Sequence, residues 1–369
     1  MNNKRVLERF LEFIKIDSPT KSEENFANHL IPILESFGMK VEMDDAGKKT
    51  GSGCGNIIAK LKGRTGSNPI LLSAHMDTVS PGKGINPIVD EGIVRTDGNT
   101  ILGSDDKAGI AAIIEGIQTV IEEGIPYGDI EVVFTICEEE GLLGSRYLDY
   151  SKIHSKTGYV FDTGGKPGKI VTKGPYHAII NAKFIGRESH AGVAPEEGIS
   201  AIQMLSDAIS NMKLLKIDDD TTANIGRIEG GQATNIVSNE ASFIAEARSL
   251  SEEKLNMQLE HMKTECEKST KKFGGMLEYS AEIIYEGFDI PENCPVVLNA
   301  IKACDNLGFE TEIIESRGGS DTNNYNKRGI SSVNLSIGQN KAHTVGESIK
   351  VDDLYKAAKL VKELILLHA

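Results

Sequence analysis

Short apolar runs of strand length alternate with helical stretches through the first half of the chain, and that alternation leaves few folds open. Residues 56–61, 69–74, 130–136 and 158–161 are near-continuous apolar segments, the pattern of strands buried on both faces. Between the second and third lies KAGIAAIIEGIQTVIEEG, a long helix ending at Gly124. Upstream, Val6, Leu7, Phe10, Leu11 and Ile14 recur at helical spacing, as do Phe26, Leu30, Leu34 and Phe37 before a stop at Gly38. Strands alternating with helices predict an α/β fold with a mainly parallel sheet covered on both faces.

From about Tyr176 the order changes. AIINAKFIG reads as a strand, ISAIQMLSDAISNM as a helix, TTANIGRIEG and ASFIAEARSL as two strands, EEKLNMQLEHMKTECEKS as a helix and MLEYSAEIIYEG as a strand. This β-α-β-β-α-β order is the ferredoxin-like split βαβ unit. After Gly287 the α/β character returns, with a helix over 296–307, strands over 310–315 and 332–337, and a final helix from Asp352. At 369 residues the chain exceeds what one core usually supports. The expected organisation is one α/β domain, residues 1–174 and 287–369, interrupted by an inserted domain over 175–286.

A net charge of −14, spread without acidic or basic blocks, argues against nucleic acid and anionic membrane as partners. No apolar run approaches the roughly 20 residues of a membrane span, and the charged, helical start MNNKRVLERFLEF is unlike a signal peptide. A cytoplasmic location is the expectation. Cys54, Cys137, Cys266, Cys294 and Cys304 are scattered, with no Cys-x-x-Cys pair, and read as reduced, structural thiols. Any metal must then be held by His and carboxylates.

Such side chains cluster just past strand ends, the edge where open α/β sheets bind ligands. His75 and Asp77 follow PILLSA, Asp105 and Asp106 precede the long helix, Glu138, Glu139 and Glu140 follow IEVVFTIC, and Asp162 follows GYVF. Imidazole with several carboxylates suits zinc, cobalt or manganese better than calcium. The ligand count fits two ions, one carboxylate bridging them at roughly 3.5–4 Å, with a further carboxylate left to move protons. Each piece alone also reads as an N-cap or a solvated turn; their recurrence at successive strand ends is the signal.

SAHMDTV, GSDDKAGIAA, CEEEGLLGS, VFDTGG and AHTVGES occur in that order. In these five motifs the chain resembles the cocatalytic zinc peptidases that include peptidase T, carboxypeptidase G and the aminoacylases. Asp-Asp-Lys-Ala-Gly is similar to the peptidase T branch. The resemblance implies two Zn²⁺ per subunit, replaceable by Co²⁺ or Mn²⁺. His75 and Asp162 would complete one site, Glu139 and His343 the other, and Asp105 would bridge them. It further implies that Asp77 orients His75, that Glu138 is the general base, and that Asp106 is a supporting neighbour.

In the inserted domain, which the resemblance makes a lid and dimerisation domain, His190 in RESHAGVAPEEG matches a histidine that reaches the partner subunit's active site in a homodimer and stabilises the developing oxyanion. Asn235 and Arg248 resemble substrate-contacting positions, Arg248 as a clamp for a terminal carboxylate. Gly319 in GGSDTN resembles a loop that contacts the substrate backbone. GSGCG at 51–55 reads as a hairpin turn, and His29, His154, His177, His261 and His368 as structural or exposed. Removal of the N-terminal residue from tripeptides is the activity implied. A carboxypeptidase or N-acyl-amino-acid deacylase would use the same site, and a metal-binding protein without activity is the non-enzyme alternative. Closure of the lid would place hinges near Gly174 and Gly287.

Overall fold

The structure is a computed structural model describing residues 2–369. The chain divides into two compact units, one formed by the chain up to Lys173 with Phe288–Ser316 and Ser320–Ala369, the other by Gly174–Gly287 with Arg317–Gly319. Among the described residues no helix is long and apolar enough to cross a membrane, and none of the five cysteines is in a disulfide.

In chain order the larger unit begins with α1 (Asn3–Phe13), α2 (Glu24–Ser36), β1 (Lys40–Met43), β2 (Ile57–Leu61), β3 (Ile70–His75), α3 (Ser104–Glu122), β4 (Ile130–Thr135), β5 (Thr157–Thr163) and β6 (Lys169–Gly174). The second unit holds β7 (Tyr176–Ile185), α4 (Ala201–Asn211), β8 (Thr221–Gly230), β9 (Glu240–Ser249), α5 (Glu252–Phe273) and β10 (Met276–Tyr285). The chain then returns through β11 (Phe288–Asp289), α6 (Pro295–Leu307), β12 (Glu312–Glu315), α7 (Asp321–Lys327), β13 (Ser331–Ser336) and α8 (Val351–Leu367).

A nine-stranded sheet runs β1-β2-β4-β3-β5-β13-β6-β11, with β12 beside β6. Its centre is parallel: β3 pairs with β4 from Ile70↔Ile130 to His75↔Thr135, and with β5 from Ile70↔Thr157 to Ser73↔Val160. Alternate residues serve opposite layers. Leu72, Ala74, Val132 and Phe134 join the main core, which also takes α3 and α8, whereas Leu71, Val133 and Val160 join a smaller cluster around Tyr325 and Ile330. Burial on both faces explains why these strands lack polar alternation. β2 and β13 also make antiparallel pairs, with β4 and β6 respectively.

The second unit is a five-stranded antiparallel sheet, a two-residue strand Leu215–Lys216 followed by β8-β9-β7-β10. Ala178, Ile180, Ala182 and Phe184 of β7 and Ala241, Phe243, Ala245 and Ala247 of β9 alternate into a core shared with Met204 of α4 and Leu255, Met262 and Cys266 of α5.

Two features depart from the sequence reading. GSGCG is no simple hairpin turn: Gly51, at φ 79°, ends a short helix, Ala46–Thr50, inside the link between antiparallel β1 and β2. A small antiparallel sheet, 339–340 beside 348–350, 93–95 and 88–90, has strands of two or three residues, too short to leave a period.

The first turns of α3 lie so close to β5 that only glycine fits at position 109. A Cβ there would sit 2.3 Å from the Phe161 carbonyl oxygen and 2.4 Å from Asp106 Oδ1. Gly109→Ala is expected to destabilise the larger unit by about 1–3 kcal/mol through overpacking, read as a lower urea midpoint. An unchanged midpoint would show that α3 is free to shift.

Candidate metal centre

The parallel register places the carboxyl ends of β3, β4 and β5 side by side. His75 ends β3, and Asp162 lies two residues beyond Val160 just as His75 lies two beyond its partner Ser73. Glu138 and Glu139 follow β4, and a cis peptide bond joins Asp105 to Asp106 at the start of α3. His343 comes from the hairpin loop between Gln339–Asn340 and Ser348–Lys350.

These side chains converge. His75 Nε2 lies 3.0 Å from Asp105 Oδ1 and 3.7 Å from Asp162 Oδ1. His343 Nε2 lies 3.3 Å from Asp105 Oδ2 and 3.0 Å from Glu139 Oε1. Ligand atoms of His75, Asp105 and Asp162, of Asp105, Glu139 and His343, and of His75, Glu138 and Glu139 fall in groups spanning no more than 4.8 Å. Asp105 belongs to the first two of these, one oxygen toward each histidine.

The backbone is fixed as firmly as the side chains. Buried Asp77 accepts the Glu138 N–H at 2.9 Å and the Glu139 N–H at 3.2 Å, along with the Thr20 hydroxyl at 2.9 Å. His75 Nδ1 is 2.9 Å from the Asp77 carbonyl oxygen, an atom that only accepts, so Nδ1 carries a proton and Nε2 is the nitrogen turned to the carboxylates. The Asp77 carboxylate is 3.5 Å from the same nitrogen. Asp106 accepts the His75 and Gly109 N–H groups, each at 3.2 Å. Asp321, for which the sequence reading had no role, is buried nearby and accepts the Thr135 hydroxyl at 2.5 Å.

Burial opposes ionisation here. Desolvation, aided by neighbouring carboxylates, pushes Asp106, Glu138 and Asp162 well above the ordinary carboxylate range, and desolvation also raises Glu139. For Asp105 burial acts the same way, but hydrogen bonds from His343 and His75 outweigh it and hold the group low. Hydrogen bonds to Asp105 and then Glu139 push His343 up to about 10. Protons on imidazole thus offset part of the negative charge of the carboxylates. Hard oxygen and imidazole donors, in excess of what two histidines neutralise, fit divalent cations.

The family model described as peptidase family M20/M25/M40 matches residues 71–367, spanning all of these groups. The chain belongs to that family. This M20/M25/M40 peptidase is 45% identical over 365 residues to the uncharacterized protein YqjE of Bacillus subtilis strain 168, covering 99% of this chain and 98% of that protein. It is similar to the crystal structure of aminopeptidase PepT from Bacillus cereus ATCC 10987, with 42% identity, TM-score 0.91 and coverage of 99% and 98% of the two chains. A tripeptidase from Staphylococcus aureus subsp. aureus Mu50 is similar at 39% identity, with TM-score 0.95 and coverage of 100% and 98%.

The M20/M25/M40 peptidase carries its remaining candidate residues in the second unit. His190 is exposed and its segment runs beside that of Asn235, the Ala191 N–H donating to the Asn235 carbonyl at 2.9 Å. Arg248 is engaged by Glu246, Nη2 and Nε lying 3.0 and 3.3 Å from one carboxylate oxygen that also meets His177 Nε2 at 3.1 Å. Gly319 packs against Tyr285, where a Cβ would meet the ring at 2.3 Å.

Hydrogen bonds from His177 and then Arg248 hold the Glu246 carboxyl down to about 2. Its contribution is complete above the ordinary value of 4.5 and fades as pH falls from there toward 2. Because the group is partly solvated, that contribution is about 1 kcal/mol at most. Glu246→Gln should therefore be less stable than the parent at pH 7 and converge with it near pH 2, read by urea unfolding at each pH. A constant gap would remove the ion pair as its cause.

Proposed function

We propose that this chain is a dizinc exopeptidase that removes the N-terminal residue from tripeptides. The observation that supports it best is the convergence of His75, Asp105, Asp162, Glu139 and His343 on one rim with Glu138 beside them. In this reading His75 and Asp162 hold one ion, Glu139 and His343 the other, and Asp105 both. The names of the Bacillus cereus and Staphylococcus aureus relatives support the tripeptide and the free amino terminus.

When bound, such a pair of ions polarises the scissile carbonyl and lowers the pKa of water from 15.7 to about 7. Glu138 is the proton carrier: buried, raised in pKa by desolvation, and aimed by the Asp77 hydrogen bond to its own N–H. A carboxylate held beside the metal-binding cluster can take a proton from water and pass it to the departing amine. Asp77, buried and bonded to both glutamate backbones, keeps that carboxylate in register with His75. In the second unit, His190 donates to the developing oxyanion of a partner subunit's site, Asn235 and Gly319 bind substrate, and Arg248 recognises the terminal carboxylate with Glu246 setting its orientation. The second unit is then the lid and the dimer contact.

Glu138→Gln should retain zinc stoichiometry while turnover falls by about 10²–10⁴, measured by metal analysis beside a tripeptide assay. Retention of parent turnover would remove Glu138 as base. The substrate is tested by mass spectrometry of products from a free tripeptide, the same peptide blocked at either end, and an N-acyl amino acid, with and without chelator. Loss of the first residue only from substrates with a free amine is expected, and release from amine-blocked peptide would move the activity to carboxypeptidase or deacylase.

A further inference from the structure

Leu102, Gly103 and Asp105 need partners for their backbone N–H groups. Ser104 and Asp105 stand at the start of α3, where the first N–H groups have no partner within a helix, and Asp105 and Asp106 depart from helical φ/ψ, at −85°, 100° and −123°, 32°. One side chain serves this whole segment. Glu347 Oε2 accepts the Leu102 and Gly103 N–H groups, each at 2.8 Å, and Oε1 accepts the Ser104 hydroxyl at 2.6 Å and the Asp105 N–H at 3.0 Å. The carboxylate thus takes four donors from four consecutive residues while only 1% of the residue is exposed.

Glu347 also ends the hairpin loop that carries His343. From Asn340 to Gly346 no residue of that loop is buried, and burial begins at Glu347. Inside the loop the Thr344 hydroxyl donates to the Lys341 carbonyl and the Glu347 N–H to the Thr344 carbonyl, so the turn has a shape of its own. What fastens it to the start of α3 is the Glu347 carboxylate, together with the His343 contact to Asp105.

We propose that Glu347 is a positioning residue of the metal centre: its carboxylate sets the Asp105 segment and the His343 loop in one register, so that a single buried anchor places a residue of each metal group. The inference rests on the metal reading above. A glutamine is nearly isosteric but puts an NH₂ against N–H donors, exchanging about half of the four acceptor contacts for donor–donor conflicts.

The test loads full-length protein with Zn²⁺ under a competing chromophoric chelator and, separately, with Co²⁺, recording the visible absorption of the cobalt form. Glu347→Gln is expected to weaken metal binding about 10–100-fold and to alter the cobalt spectrum. Glu131→Gln is the control. Glu131 is likewise buried and accepts from His154 and Ser155, but at the start of β4, the far end of that strand from Glu138. It should lose stability and keep parent metal affinity. Parent affinity and spectrum in Glu347→Gln would overturn the proposal, leaving Glu347 a structural anchor. Should that variant fail to fold, Ser104→Ala decides: removing one of the four donors is expected to weaken binding a few-fold, and unchanged binding overturns the proposal. Parent protein that takes up no metal would refute the metal reading itself, a result distinct from either of these.

Discussion

Negative charge concentrated at the carboxyl edge of the parallel sheet, largely out of water, is the constraint to which the rest of the larger unit answers. Asp77, Asp105, Asp106, Glu138 and Asp321 are all buried within this region, with Glu139 and Asp162 partly so. Two unit charges 4 Å apart repel by about 4 kcal/mol at an effective dielectric near 20, so several carboxylates cannot ionise together without cations or shared protons. Lys107 does not supply the compensation. Its ammonium turns away to the Ile16 carbonyl at 2.6 Å, and burial lowers its pKa to about 7. The histidines answer part of the demand, and divalent ions would answer the remainder.

Holding such a cluster requires that each reacting side chain be fixed through its backbone, and carboxylates do this repeatedly. Asp77 holds Glu138 and Glu139, Asp106 holds His75, and Glu347 holds Asp105. Glu23, fully buried, extends the scheme: it accepts the Cys137 N–H at 3.0 Å and the Ser52 hydroxyl at 2.6 Å. Cys137 has φ 49°, a conformation that costs a non-glycine residue energy, immediately before the proposed base. A carboxylate bonded to main-chain donors serves well here because it satisfies buried N–H groups that no helix or strand can reach.

What was legible in the sequence follows from the range of the interactions. β3, β4 and β5 show themselves because both faces are buried, and their polar ends mark the rim without knowledge of the fold. The β-α-β-β-α-β order of the second unit is equally plain, since each element is long enough to complete its own period. Glu347 was not legible in this way. It lies within AHTVGES, but its partners are 242 to 245 residues away, and nothing local distinguishes it from a loop glutamate. Glu246 is hidden for another reason: its partners His177 and Arg248 meet it across and along the strands, and a lone arginine in a strand reads the same whether or not a carboxylate already engages it.

The three-residue excursion Arg317–Gly319 alters how the insertion should be understood. An inserted domain joined only at its two ends can hinge there, at Lys173–Gly174 and Gly287–Phe288. Here the chain also leaves the larger unit after Ser316 and re-enters it at Ser320. Both flanks are held within the larger unit, the Ser316 N–H donating to the Lys173 carbonyl at 2.8 Å and Ser320 capping α7. Gly319, meanwhile, is seated against Tyr285, with no room for even a Cβ. The backbone therefore passes between the units at these extra crossings as well as at the two domain ends, and the last of them lies directly before the buried Asp321.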